Sequence, residues 1–292
     1  MKTHALEALL VRGLFGASRA LPWPGGTAVG AAAGGLARAL GLRRRVAESN
    51  LALAFPERTA QERAAILAAH WREVGRIAAE YARLPELARA RADAVAEAHG
   101  LGHLEALRGR GALLLTGHFG NFELLGAHLA RLNPVDFVVK PLSNPKVEAL
   151  VNDLRSRAGV GIIPLGGGVK HVFKALRAGR WVALLADQDA RRHGVFVPFF
   201  GRLASTPEGP ARLSLQTGAP IVFGTIRRRA DGRHRLDVDP PHASAGPPDE
   251  AHVRALTAWH AARLEREVRA APEHWFWLHR RWKTPPPTPS GS

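Results

Sequence analysis

In the segment Thr116-Gly117-His118-Phe119-Gly120-Asn121-Phe122-Glu123, a histidine and a carboxylate stand five residues apart, directly after the apolar run Ala112 to Leu115. An imidazole with a pKa near neutrality takes a proton from a hydroxyl, while a carboxylate fixes its tautomer and stabilises the imidazolium. The oxygen activated in this way can attack a thioester. His118 is therefore the candidate general base and Glu123 its candidate support. On a regular helix two such residues lie ~140° apart, so they meet only if His118 is in a loop and Glu123 in the first helical turn. Gly117 and Gly120 permit that bend, and the helix dipole favours a carboxylate at that place. Asn121 is the expected N-cap of the helix and a further candidate for touching substrate. A histidine capping a helix beside a surface Glu explains the pair equally well in a chain with 14 His. The glycine-flanked junction of strand and helix is what favours a site.

Rival chemistries lack their residues. The chain has no Cys, which removes disulfides, thiol nucleophiles and Cys-ligated zinc. No G-x-S-x-G elbow occurs. His118, Glu123 and His128 are five apart rather than at the spacing of H-E-x-x-H, so no metal is expected, and no cofactor either. Gly166-Gly167-Gly168-Val169-Lys170 matches no phosphate-loop pattern and reads as a plain turn.

The elements that must carry these residues follow from periodicity. The short apolar runs Ala112 to Leu115, Val135 to Val139, Val160 to Pro164, Trp181 to Ala186, Val195 to Phe199 and Ile221 to Ile226 predict buried strands. Helices are predicted between them, near Asn121 to Arg131, Pro145 to Ala158, Val169 to Ala178 and Pro207 to Thr217, with a last one over Asp249 to Ala270. Earlier, Thr59-Ala60-Gln61-Glu62 reads as a capping box opening a helix that ends near Pro85. Strands alternating with helices imply an α/β sheet flanked by helices. His118 then falls at the C-terminal end of its strand, where open α/β sheets bind ligands. Asp187 and Asp189, after the run Trp181 to Ala186, fall on the same rim.

With 292 residues, 46% of them hydrophobic, the chain can bury a full core, and its formal charge of +16 favours an anionic partner. Residues 1–45 are expected to be an N-terminal membrane-associating segment. Pro22, Pro24 and Gly25-Gly26 make a spanning helix unfavourable, and Arg43, Arg44 and Arg45 suit anionic headgroups. An Ala-rich core helix is the alternative. Residues 46–283 are expected to form the catalytic domain, and 284–292, rich in Pro, a disordered tail. Val195 to Phe200 could line a channel for an apolar chain or be a buried strand. Trp275, Trp277 and Trp282, among Arg280, Arg281 and Lys283, suit either a membrane interface or packing against the final helix. The charge also raises a nucleic-acid-binding reading, but no binding module is recognisable, and none is expected.

Five blocks of the sequence together resemble the bacterial lipid A biosynthesis acyltransferases, the late lauroyl and myristoyl transferases related to glycerolipid acyltransferases. They are RRRVAESNLALAFPE, TGHFGNFELLG, KPLSNPKVEALVNDLRSRAG, the long block from LLADQDARRHG to LQTGAPIV, and PEHWFWLHRRWK. They cover most of residues 43 to 283 in the family's order. Phe122 stands where the family usually has Trp. The resemblance implies a glycerolipid-acyltransferase-like fold and an H-x4-[DE] motif, with His118 as base and Glu123 as its orienting carboxylate. It implies an acyl carrier protein or acyl-CoA thioester as donor and a glycolipid hydroxyl as acceptor, at the cytoplasmic face of the inner membrane; a lysophospholipid or mannoside is the rival acceptor. It further implies that Arg155 or Arg157, and the turn Asp187-Gln188-Asp189, serve the site.

Overall fold

The computed structural model describes residues 2–166 and 169–287. Helices α1 (Lys2–Ala20), α2 (Trp23–Ala39), α3 (Arg44–Ala54) and α4 (Ala60–Tyr81) come first. The short α5 (Ala92–Val95), β1 (Ala96–His99) and the short α6 (Gly102–Glu105) follow. Next come β2 (Ala112–Thr116), α7 (Phe122–Leu129), β3 (Val135–Val139), α8 (Pro145–Arg157), β4 (Val160–Pro164), α9 (Val169–Arg177) and β5 (Trp181–Leu185). The chain continues through β6 (Val195–Phe199), β7 (Arg202–Thr206), α10 (Gly209–Thr217), β8 (Ile221–Arg228), β9 (His234–Val238) and α11 (Glu250–Ala270). The capping box at Thr59 forms as expected, the Thr59 hydroxyl accepting from the Glu62 amide at 3.2 Å.

Seven strands make one mixed sheet in the order β1-β9-β8-β2-β5-β3-β4, with only β8 and β9 antiparallel. β2 sits in the middle and is buried on both faces: Leu113 and Leu115 belong to one core, Ala112 and Leu114 to the other. This explains its unbroken apolar run. β6 is not in this sheet. It pairs with β7 as an antiparallel hairpin against α11, and Phe199 and Phe200 pack with Phe55, Trp275, Trp277 and Trp282. The run Val195 to Phe200 is therefore a hairpin strand of the core.

The N-terminal helices are not detached from the rest. α2 lies on α4 so closely that a Cβ at Gly30 would stand 2.3 Å from the Gly75 carbonyl oxygen, and one at Gly34 2.0 Å from that of Trp71. The glycine spacing that weakens α2 as a spanning helix thus serves backbone-to-backbone packing. Trp23 donates from Nε1 to buried Glu80 at 3.0 Å, and the Ser18 hydroxyl donates to the Ala79 carbonyl at 2.9 Å. No helix among the described residues is long and apolar enough to cross a membrane. Leu6, Leu9, Leu10, Leu36, Leu40 and Leu42 are nonetheless exposed. In the expected tail, the Thr284 hydroxyl donates to Asp189 at 3.0 Å; residues 288–292 lie outside the described residues.

Candidate active site

The β2–β5 register pairs Thr116 with Leu185 as the last partners of the two strands. Two residues further on each strand stand His118 and Asp187, so the sheet itself brings the imidazole and this carboxylate face to face. His118 Nδ1 is 2.7 Å from Asp187 Oδ1, and the His118 backbone amide donates to Oδ2 at 2.8 Å. Trp275 Nε1 donates to the same Oδ2, also at 2.8 Å. Burial alone would raise the Asp187 carboxyl; the His118 charge and these hydrogen bonds overcome it and hold the pKa down to about 2. Burial likewise works against charge on His118, and the carboxylate beside it wins, raising its pKa above the ordinary value. With Nδ1–H donated to Asp187, Nε2 carries the lone pair, and the Gln188 amide nitrogen lies 3.3 Å from it. The side chain of His118 is 27% exposed and that of Asp187 2%, which leaves the base reachable and its support dry.

The loop between β2 and α7 holds its shape through glycine and the chain's C-terminal segment. Gly120 has φ +56°, and a Cβ there would stand 1.7 Å from the Ile226 carbonyl oxygen. Its amide donates to the His274 carbonyl at 2.8 Å, and the Phe276 amide to the His118 carbonyl at 3.0 Å. Phe276 and Phe122 flank the imidazole, their ring centroids 6.2 and 5.3 Å from it. Trp275 and Trp277 are buried, so for these two the packing alternative holds over a membrane interface.

Glu123 is in the first turn of α7, as the spacing required, but its carboxylate pairs with Arg155 rather than with the imidazole. Arg155 Nε donates to Glu123 Oε2 at 3.1 Å, and Nη2 donates to Oε1. The physical reason is geometric. α7 begins at Phe122 and directs Glu123 toward α8, whereas the register directs Asp187 toward His118. Glu123 still acts on the site by its charge, which favours the imidazolium. Tyr81 is buried beside this pair, and burial followed by the Glu123 charge pushes its phenol up. Arg157 pairs with Asp153 at 3.6 Å on the exposed face of α8, which leaves Arg155 as the arginine that faces inward.

The remaining candidates divide. Gln188 Nε2 lies 3.3 Å from His118 Nε2. Asp189 turns away from the base: its amide donates to His279 Nε2 at 3.0 Å, and its carboxylate meets Lys283 at 3.5 Å. Asn121 caps α7, its Oδ1 accepting from the Leu124 amide at 3.1 Å, while Nδ2 donates to Glu80 at 2.9 Å. It is held from both ends rather than open to a substrate. Glu80, fully buried, also accepts from both Nη atoms of Arg228 at 2.8 Å and lies 3.1 Å from His234 Nε2. Burial would raise Glu80, yet His234 and Arg228 hold it well below the usual carboxylate range. Sequence reading assigned none of Glu80, Tyr81, Arg228 and Trp275 to the site, although Tyr81, Trp275 and the run holding Arg228 stand out in the sequence for other reasons.

A partly exposed imidazole on a dry carboxylate, at the C-terminal rim of an α/β sheet, has the geometry to take a proton from a hydroxyl. The comparisons name the class more closely. The family model for the bacterial lipid A biosynthesis acyltransferases matches residues 3–284. The lipid A biosynthesis lauroyltransferase of Escherichia coli (strain K12) is 32% identical over 91% of this chain and 88% of its own length. The palmitoleoyltransferase of the same strain is 30% identical over 91% and 87%. The phosphatidylinositol mannoside acyltransferase of Mycolicibacterium smegmatis is 30% identical over 74% and 69%. Among solved structures, the 1-acyl-sn-glycerophosphate acyltransferase of Thermotoga maritima aligns at TM-score 0.41 and 13% identity, over 80% of this chain and 98% of that one. The chain belongs to the bacterial lipid A biosynthesis acyltransferase family and is an O-acyltransferase.

Proposed function

We propose that the protein transfers a fatty acyl group from an acyl carrier protein or acyl-CoA thioester to a hydroxyl of a lipid A precursor or similar anionic glycolipid. His118 is the base, Asp187 orients it and stabilises its imidazolium, and Glu123 pairs with Arg155 and favours the imidazolium through its field. The carrying observation is the His118 Nδ1–Asp187 contact at 2.7 Å on an imidazole that stays 27% exposed, with the Gln188 amide beside Nε2 at 3.3 Å. The acceptor hydroxyl gives its proton to Nε2 as its oxygen bonds to the thioester carbonyl carbon. The C–S bond then breaks, and the imidazolium returns the proton to the leaving thiolate. Asp187 stays ionised throughout, since its pKa is held near 2.

A narrow apolar crevice of about 30 Å³ runs between α7 and the sheet, past Phe122, Leu125, Gly126 and Leu129 on one side and Phe137 and Ala183 on the other. Thr116 and Phe122, which bracket His118 in the sequence, are among its lining residues, and an acyl chain would enter there only by displacing the Phe137 ring and the leucines; each buried CH₂ then contributes ~0.8 kcal/mol. The net charge of +16 supports an anionic acceptor, and the exposed leucines of α1 and α2 support work at the cytoplasmic surface of the inner membrane. The similarity to a mannoside acyltransferase keeps a mannolipid acceptor as the second reading. The test is mass spectrometry of lipids from a strain lacking its own late acyltransferases. Expression of the protein should add one acyl chain to a lipid A precursor, and His118→Ala should not. Acylation that persists in the variant would contradict the role of His118, and an acylated mannolipid or phospholipid would replace the acceptor.

A further inference from the structure

A groove of about 420 Å³ lies between α3 and the chain's C-terminal segment, lined by Arg45, Ser49, Asn50, Arg280, Trp282 and Lys283 among others. Three cations face it, and among the described residues lining it there is no carboxylate. Arg44, one residue from Arg45, is paired with Glu48 at 2.7 Å. Neither Arg45 nor Arg280 has a carboxylate within 4 Å among the described residues, and both are exposed. The walls are fixed from within, since buried Asn50 donates from Nδ2 to the carbonyls of Trp277 at 2.7 Å and His279 at 2.6 Å. Two unpaired guanidinium groups and an ammonium suit the oxygens of a phosphate, with the Trp282 ring as an apolar edge.

One of the lining cations is linked by contacts to the base: Lys283 meets Asp189 at 3.5 Å, and His279 accepts from the Asp189 amide. Gln188, the residue before Asp189, lies 3.3 Å from the imidazole. We propose that this groove binds the phosphate of the donor's phosphopantetheine arm, chemistry shared by acyl carrier protein and acyl-CoA. The arm then runs past the Asp187–Asp189 turn and delivers the thioester carbonyl to His118. This rests on the thioester-donor reading above. It gives the unpaired charge of Arg45 and Arg280 a ligand of the right sign.

Two measurements on the full-length protein test it. In titration calorimetry, 4′-phosphopantetheine should bind, pantetheine without phosphate should bind ~10-fold more weakly or not at all, and Arg45→Ala with Arg280→Ala should remove the difference. In transfer kinetics with one acyl chain on carrier protein, on 4′-phosphopantetheine and on pantetheine, the KM advantage of both phosphorylated donors should collapse in the same variant. Arg280→Lys should retain part of it. Equal binding of 4′-phosphopantetheine by wild type and variant overturns the proposal. A KM rise confined to the carrier donor overturns it in favour of an acidic protein surface. Loss of binding to anionic vesicles with donor KM unchanged overturns it in favour of lipid headgroups. Phosphate-dependent binding in a protein that transfers no acyl group would leave the groove standing and sink the acyl-transfer reading instead.

Discussion

At the scale of residues, the two carboxylates near His118 have separate surroundings. Asp187 is dry, accepts from the imidazole, a backbone amide and an indole, and stays ionised to about pH 2. Glu123 neutralises Arg155 and reaches the base only through its field. Because burial disfavours the imidazolium and Asp187 more than offsets it, the His118 pKa in the folded protein is raised. On the proposed mechanism His118 must be neutral to accept a proton, so kcat/KM should rise with pH along a limb centred above the ordinary His value of ~6.5. In Asp187→Asn the imidazolium loses its partner, and the limb should move toward acid; a pH–rate profile of both proteins checks this, and an unmoved limb would count against the pairing. From sequence, His118 was legible because a glycine-bounded histidine after a buried strand is uncommon. The identity of its partner was not, since Glu123 is near in sequence whereas Asp187 is near only through the β2–β5 register.

At the scale of elements, the site is held by contacts far apart in the chain. Glu80 of α4 gathers Trp23 of α2, Arg228 of β8, His234 of β9 and the Asn121 cap of α7 around one carboxylate. Removing the charge leaves a buried guanidinium without half of its partners and releases the Asn121 amide. Glu80→Gln should therefore cost about 3–5 kcal/mol, read as a lower midpoint in denaturant titration. A loss under 1 kcal/mol would show that Glu73 alone suffices for Arg228. Strands β2, β3, β4, β5 and β8 were legible as apolar runs bounded by turns. β1, β7 and β9 were not, because Ala96–His99, Arg202–Thr206 and His234–Val238 are short and mix polar with apolar residues. β6 was legible as a strand but not as a hairpin apart from the sheet, since an apolar run does not name its partner.

At the scale of the whole molecule, the N-terminal helices join the catalytic domain through α4 and leave leucines facing outward. Leu6, Leu9 and Leu10 are 57%, 66% and 65% exposed, near Arg12. On the proposed function these leucines would rest in the headgroup region of an anionic bilayer rather than cross it. Replacing Leu6, Leu9 and Leu10 by Ser should reduce co-sedimentation with vesicles containing anionic lipid by ~10-fold or more, given ~0.8 kcal/mol for each buried CH₂. The thermal midpoint should hardly move, because these side chains touch little. Unchanged sedimentation would place the membrane contact elsewhere. The packing of α2 on α4 by glycine did not show in the sequence, where Gly25-Gly26 read only as breakers of a spanning helix.

The division of labour between the two carboxylates is tested most directly by single-turnover transfer of a labelled acyl group from carrier protein to a lipid A precursor, in wild type, Asp187→Asn and Glu123→Gln. Asp187→Asn should lose ~10²–10⁴-fold in rate, as befits a base without its orienting partner, and Glu123→Gln should lose less. Full activity in Asp187→Asn, with activity abolished in Glu123→Gln, would contradict the pairing seen here and return the role to Glu123.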